Sequence, residues 1–173
     1  KYALAFYSRG LTYETKGDND RAINDFNEAI RLNPNYAPAF GNRGLAYDRK
    51  GNPDRAIADF NEAIRRDPKY AFAFLSRGVA YGNKGDNDRA IADYTDSIQL
   101  NADNYVALTA RGNAYHANGD LDRAIADYDR VIAFYPKYAL AYYDRCLVYR
   151  EKGDLGRAIA DCGQAITLYP RYR

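Results

Sequence analysis

The sequence holds 173 residues, 47% hydrophobic and 28% charged, and its 25 Lys and Arg against 23 Asp and Glu leave a formal charge of +2. That length supports a sizeable buried core, and the balance excludes a disordered or polybasic chain and attraction of nucleic acid or membrane surfaces by net charge. No apolar run approaches the roughly 18 to 20 residues of a spanning helix and no charged-then-apolar leader opens the chain, so a soluble chain is expected, with the cytoplasm as first choice of compartment. The chain opens at Lys1 and contains no Met, which reads as a fragment or a processed product.

The predicted elements repeat. Arg-Gly stands at Arg9-Gly10, Arg43-Gly44, Arg77-Gly78 and Arg111-Gly112, with Arg145-Cys146 at the next step, and Arg-Ala-Ile starts at Arg21, Arg55, Arg89, Arg123 and Arg157. The period of 34 residues gives units 3–36, 37–70, 71–104, 105–138 and 139–172 of one array spanning 1–173, and Lys1-Tyr2 reads as the tail of an upstream repeat. In the first unit Ala3, Phe6, Gly10 and Tyr13 form one helical stripe, helix A. Lys16-Gly17 closes it with a basic last turn and a glycine suited to a left-handed stop. Asp18 then caps a second helix, B, as do Asn52, Asp86, Asp120 and Asp154 in later units. The stripe of helix B is Ala22, Ile23, Phe26, Ala29 and Ile30, and Pro34 ends the unit. Every unit is therefore expected to be a helical hairpin and the fold class all-α.

The pattern Phe6, Gly10, Tyr13, Ala22, Phe26 and Pro34, with its counterparts in the later units, resembles the tetratricopeptide repeat over the whole chain. The departures are Ala102 for the closing Pro of the third unit, Ser97 and Val131 for a small Ala, and Arg9 with its equivalents where the family has Leu. The resemblance implies a right-handed superhelical solenoid of antiparallel helix pairs, with helices A lining a concave groove and helices B outside. It also implies a non-catalytic module that binds a protein or peptide segment in that groove. An architectural, self-assembling scaffold stacked end to end is the alternative.

Gly10, Ala22 and Ala29 are expected to let paired helices approach, and Tyr13 and Phe26 to fill the space between neighbouring units. Eleven of the 18 tyrosines recur at only three repeat positions, which argues for packing. Arg9, Arg43, Arg77, Arg111 and Arg145 recur in register with Asp25, Asp59, Asp93, Asp127 and Asp161. A guanidinium fork matches a carboxylate, so a structural ion-pair ladder is expected, the alternative partner of each Asp being the Arg four residues before it. Cys146 replaces the small Gly and Cys162 the large aromatic of the same unit, so the two positions should touch and conserve volume together. Two buried reduced thiols are the first expectation and a disulfide the second. His116 is the only histidine and lacks partners at ligand spacing. No metal site, cofactor motif, nucleophile elbow or catalytic carboxylate pair is seen, and the chain is not expected to be an enzyme.

If the family geometry holds, repeat positions 2, 5, 9 and 12 of helix A point into the groove. The peptide-binding candidates are then Leu4, Tyr7, Leu11, Leu45, Phe72, Leu75, Val79, Asn113, Tyr143 and Leu147 on that stripe, with Asn42 at position 6 beside it, and they favour a segment with apolar anchors. The carboxylate clamp that holds chaperone C-terminal tails needs Lys and Asn on one helix A, Asn on the next, and Lys and Arg on a third. Here only Asn42 matches, so such tails are not expected. The recurring Arg should make the groove edge basic and suit an acidic-plus-apolar partner. Arg171-Tyr172-Arg173 closes the sequence without a polar cap, which suggests a longer parent or homo-oligomers through the array ends.

Overall fold

The computed structural model describes residues 2–169, so the expectations placed on Lys1 and on 171–173 lie outside the described residues. Among those described, the chain forms ten α-helices and no strand. They are α1 (Ala3–Thr15), α2 (Asn19–Leu32), α3 (Ala37–Arg49), α4 (Pro53–Arg66), α5 (Ala71–Asn83), α6 (Asn87–Leu100), α7 (Tyr105–Ala117), α8 (Leu121–Phe134), α9 (Ala139–Glu151) and α10 (Leu155–Leu168). Odd-numbered helices are the A helices of the repeat and even-numbered helices the B helices. The fold is all-α, built from consecutive packed helix pairs.

Two residues make each A-to-B turn. Gly17 takes φ 77°, in the left-handed region that stops a helix, and its N–H donates to Glu14 O at 2.9 Å. The Asp18 N–H reaches back to Tyr13 O at 2.9 Å, and its side chain then accepts from Arg21 N at 3.1 Å to start α2. Asp86, Asp120 and Asp154 cap α6, α8 and α10 in the same way. Asn52 departs from the expectation. Its side chain makes no cap bond and instead donates to Lys50 O at 3.3 Å, while Pro53 opens α4 at a position that needs no amide.

The glycine of helix A and the aromatic of helix B interlock inside one hairpin. A Cβ placed on Gly10 would lie 2.7 Å from Phe26 Cε1; the same test gives 2.8 Å at Gly44 against Phe60 and 2.7 Å at Gly112 against Tyr128. Phe26, Phe60 and Tyr128 therefore fill the space over their own unit's glycine, rather than only the space between units that the sequence suggested. Tyr13 is half-buried, with the Arg21 guanidinium carbon 5.6 Å from its ring centroid. In the last hairpin Cys146 and Cys162 do touch, but as a disulfide, S–S 2.02 Å, across a separation of 16 residues. Free buried thiols are thus not what this pair provides, and Cys162 is only half-buried. With Cys rather than an aromatic at 162, a side chain fits at 146 where the other hairpins need Gly.

The chain divides between Lys84 and Gly85 into two compact units. In the first, α1/α2 and α3/α4 are antiparallel hairpins, α2 packs on α3 and α4 on α5, and the A helices α1, α3 and α5 lie side by side. In the second, α6 packs on α7, α7/α8 and α9/α10 are hairpins, α8 packs on α9, and α7 lies beside α9. No helix of the described residues is long and apolar enough to cross a membrane.

Candidate peptide-binding faces

The recurring arginines are spoken for. Arg9 Nε and Nη2 donate to both oxygens of Asp25 at 2.7 Å, and Arg43 grips Asp59 at 2.8 and 2.6 Å. Arg111 holds Asp127 at 2.8 and 2.7 Å, and Arg145 holds Asp161 at 2.7 Å through both nitrogens. All four aspartates are buried, as is Asp93. Arg21, the alternative partner of Asp25, turns back to Asp18 instead. The third guanidinium nitrogen reaches the preceding B helix: Arg43 Nη1 to Asn27 Oδ1 at 2.7 Å, Arg77 to Asn61 at 2.6 Å, Arg111 to Thr95 at 3.0 Å, and Arg145 to Asp129. The basic groove edge expected from the sequence is therefore largely neutralised. A second set of ties, Lys50–Asp20, Lys84–Asp54, Asn118–Asp88 and Lys152–Asp122, crosses successive turns on the surface. In the sequence three of the four appear as Asp and Lys thirty residues apart, with Asn118 in the place of Lys in the fourth.

In the first unit the A-helix face is aromatic and half-buried. Tyr7 meets Tyr36 edge-on, centroids 5.0 Å apart, and its hydroxyl accepts from Asn42 Nδ2 at 2.9 Å. The Tyr70 ring covers Gly41, whose added Cβ would lie 2.9 Å from Tyr70 Cε1, and it tilts against Phe72 at 5.5 Å. Leu11, Leu45, Leu75 and Val79 are half-buried, and Leu4 is 61% exposed. Glu14 binds Arg49 at 2.5 Å, yet burial still pushes its carboxyl up; Tyr70 also rises, through burial first and then through Tyr7 and Tyr36. Asn42 and Tyr7 are thus brought together by the fold, partly at the expense of their availability to a ligand.

In the second unit the same face is more polar. The Tyr128 hydroxyl passes from the core to donate to Asn113 Oδ1 at 2.6 Å, and His116 Nε2 meets Glu151 Oε2 at 2.7 Å. Tyr143 is 48% exposed, Leu147 half-buried, and Val106 and Leu140 exposed. Asp144 lies beside Tyr143 on α9, and burial pushes its carboxyl up to about 6, opposed only by His116. It makes no hydrogen bond or ion pair with any described residue. Asp144 stands at repeat position 6, outside the stripe of positions 2, 5, 9 and 12, where the other units carry Ser8, Asn42, Ser76 and Ala110; of that position only Asn42 was a candidate, through its match to the carboxylate clamp. The described residues hold no group of three or more His, Cys, Asp or Glu able to bind a metal.

The tetratricopeptide-repeat family models match residues 7–71, 75–139 and 139–172. The chain belongs to the tetratricopeptide-repeat family. The tetratricopeptide-repeat chain is 27% identical to the crystal structure of MamA, with a TM-score of 0.87 over 94% of this chain and 95% of that one. It is 21% identical to YrrB, described as a TPR protein with an unusual peptide-binding site, at TM-score 0.82 over 98% of this chain and 87% of that one. A tetratricopeptide-repeat protein from Parabacteroides merdae is 20% identical, at TM-score 0.85 over 98% of this chain and 67% of that one. No curated protein matches. Repeats of this family generally serve as interaction modules rather than catalysts.

Proposed function

We propose that the chain is a non-catalytic protein-interaction module whose A-helix faces bind an extended or helical segment carrying apolar anchors. The observation that carries this reading is the row of exposed or half-buried apolar and aromatic side chains on helices A: Leu4, Leu11, Leu45, Phe72, Leu75 and Val79 in the first unit, and Tyr143 and Leu147 in the second. Such surface gains free energy when an apolar anchor covers it. The peptide-binding site named for YrrB supports the same use of the fold. The neutralised arginines argue against the acidic partner expected from the sequence. The disulfide supports an oxidising compartment over the cytoplasm, where thiols are kept reduced.

The test is affinity capture with the native chain and with a variant carrying Leu4→Glu, Val106→Glu and Tyr143→Glu, three side chains exposed enough to change without disturbing the core. Partners held by the native chain and released by the variant support the reading. Equal retention by both moves binding to the B helices.

The second reading, a scaffold assembled end to end, is favoured by α10. Its Ile159 and Ile166 are 74% and 62% exposed, whereas Ile23, the counterpart of Ile159 on α2, is 8% exposed. A mass that rises with concentration and falls on Ile159→Lys would favour it.

A further inference from the structure

Each of the first four B helices offers two polar acceptors to the hairpin that follows it. The first is Asp20, Asp54, Asp88 or Asp122, which meets Lys50, Lys84, Asn118 or Lys152. The second is Asn27, Asn61, Thr95 or Asp129, which meets the recurring arginine. On α10 these two places hold Gly156 and Gly163, and neither offers a side-chain acceptor. The isoleucines of the face change with them. On α2, Ile23 is buried and Ile30 half-buried, and α3 packs on that helix. Their counterparts on α10, Ile159 and Ile166, are 74% and 62% exposed. A helix turns by about 100° per residue, so Gly156, Ile159, Gly163 and Ile166 share one stripe, with the exposed Leu155 at its edge.

The order along this stripe is its own complement. When two copies of α10 lie antiparallel about Asp161, Ile159 of one falls over Gly163 of the other, and Ile166 over Gly156, because each pair is placed evenly about that residue. Nothing lies within 4 Å of where a Cβ on Gly163 would be, and at Gly156 the nearest atom is Asp154 Oδ1 at 3.9 Å. Each glycine is therefore an open seat for an isoleucine of the other copy.

The charges agree with the shape. The same pairing on α8 would set Asp122 against Ile132 and bury a carboxylate without a cation, and α2, α4 and α6 carry an aspartate at that place too. The charged residues of α10 are Arg157 and Asp161. Arg157 Nε turns to Asp154 at 2.6 Å, and Asp161 is held by Arg145. The face thus brings no unpaired charge to a copy of itself, and the Cys146–Cys162 disulfide fastens α10 to α9 beside Gly163.

We propose that α10 is the contact through which two copies of this chain pair, antiparallel and about a twofold axis, isoleucine into glycine. Such a contact closes at two copies, which separates it from the open end-to-end scaffold, and it engages no A helix.

The experiment is sedimentation equilibrium of the full chain without reductant from about 5 to 500 μM, because a single helix pair is a small interface of micromolar affinity. The native chain is expected to pass from the mass of one copy to that of two and stop. Gly163→Leu fills the seat and should weaken pairing about tenfold or more, while Ile159→Ala added to it makes room again and should restore most of the affinity. Ile166→Lys changes an exposed side chain and should abolish pairing independently of the glycine, with circular dichroism confirming native helicity in each variant. A native chain that stays single at the highest concentration hands the face to another occupant and overturns the pairing, as does a mass that climbs past two. Pairing that survives Ile166→Lys overturns it as well. Gly163→Leu pairing as tightly as the native chain, or more tightly as unspecific apolar association predicts, overturns the isoleucine-into-glycine register. So does a Gly163→Leu defect that Ile159→Ala leaves in place. Groove binding is tested apart from all of these, by the capture experiment on the A-helix variant.

Discussion

A buried carboxylate with a bidentate partner is costly to orphan from either side. Asp127 is 3% exposed, and Arg111 donates to both of its oxygens. Asp127→Ala leaves Arg111 uncompensated in a half-buried setting, and a loss of about 3 kcal/mol is expected from chemical denaturation. Asp96→Ala, on the exposed face of α6, should change stability by less than about 0.5 kcal/mol. Equal effects would reduce the pair to surface decoration. Asp144 behaves in the opposite sense. Because folding raises its carboxyl to about 6, the folded chain binds the proton more tightly than the unfolded chain. This contribution to stability is full below about pH 4 and is lost as pH rises through 6. Asp144→Asn should flatten that part of the stability profile and raise stability at pH 7 by about 1 to 2 kcal/mol, read from denaturation midpoints between pH 4 and 8. The Arg/Asp pairing was legible in the sequence because it recurs at one spacing. Asp144 was not, because it occurs once and its desolvation comes from neighbours on other elements.

At the scale of the helix, the same residue type carries opposite consequences. Gly112 lies against the Tyr128 ring, whereas Gly163 on α10 has nothing within 4 Å of where its Cβ would be. Gly112→Ala should cost about 1 to 3 kcal/mol through overpacking, while Gly163→Ala should gain up to about 1 kcal/mol from helix propensity. Thermal melts of the two single variants, moving in opposite directions, check both. Helix existence, the glycine stops and most caps were readable from period and residue type. Asn52 was not, because an Asx residue ahead of Pro looks like any other cap until its side chain is seen bonded to the turn. The disulfide was open for a related reason: volume exchange between Cys146 and Cys162 requires contact but does not specify a bond.

For the molecule as a whole, the repeat made the fold class plain, and the candidate face was legible only as a stripe. Which members of the stripe remain open to solvent depends on packing the stripe does not encode: Tyr7 is tied to Asn42, while Leu4 and Tyr143 stand free in solvent. The same holds for the outer face of α10. Ile159→Lys and Ile166→Lys should each cost less than about 0.5 kcal/mol, whereas Ile23→Lys, which buries its charge between α2 and its neighbours, should cost several-fold more. Urea titrations of the three variants would separate a covered face from an uncovered one.

The arginine forks give the array a property that the periodic sequence conceals. Arg43, Arg77, Arg111 and Arg145 each grip the preceding B helix, through three kinds of acceptor: the amides Asn27 and Asn61, the hydroxyl of Thr95 and the charged Asp129. The joints are consequently keyed, the one between α8 and α9 by a full ion pair and the others by neutral groups. A hairpin moved to follow α8 would bring its arginine to the charged Asp129, whereas one moved to follow α6 would meet the neutral Thr95.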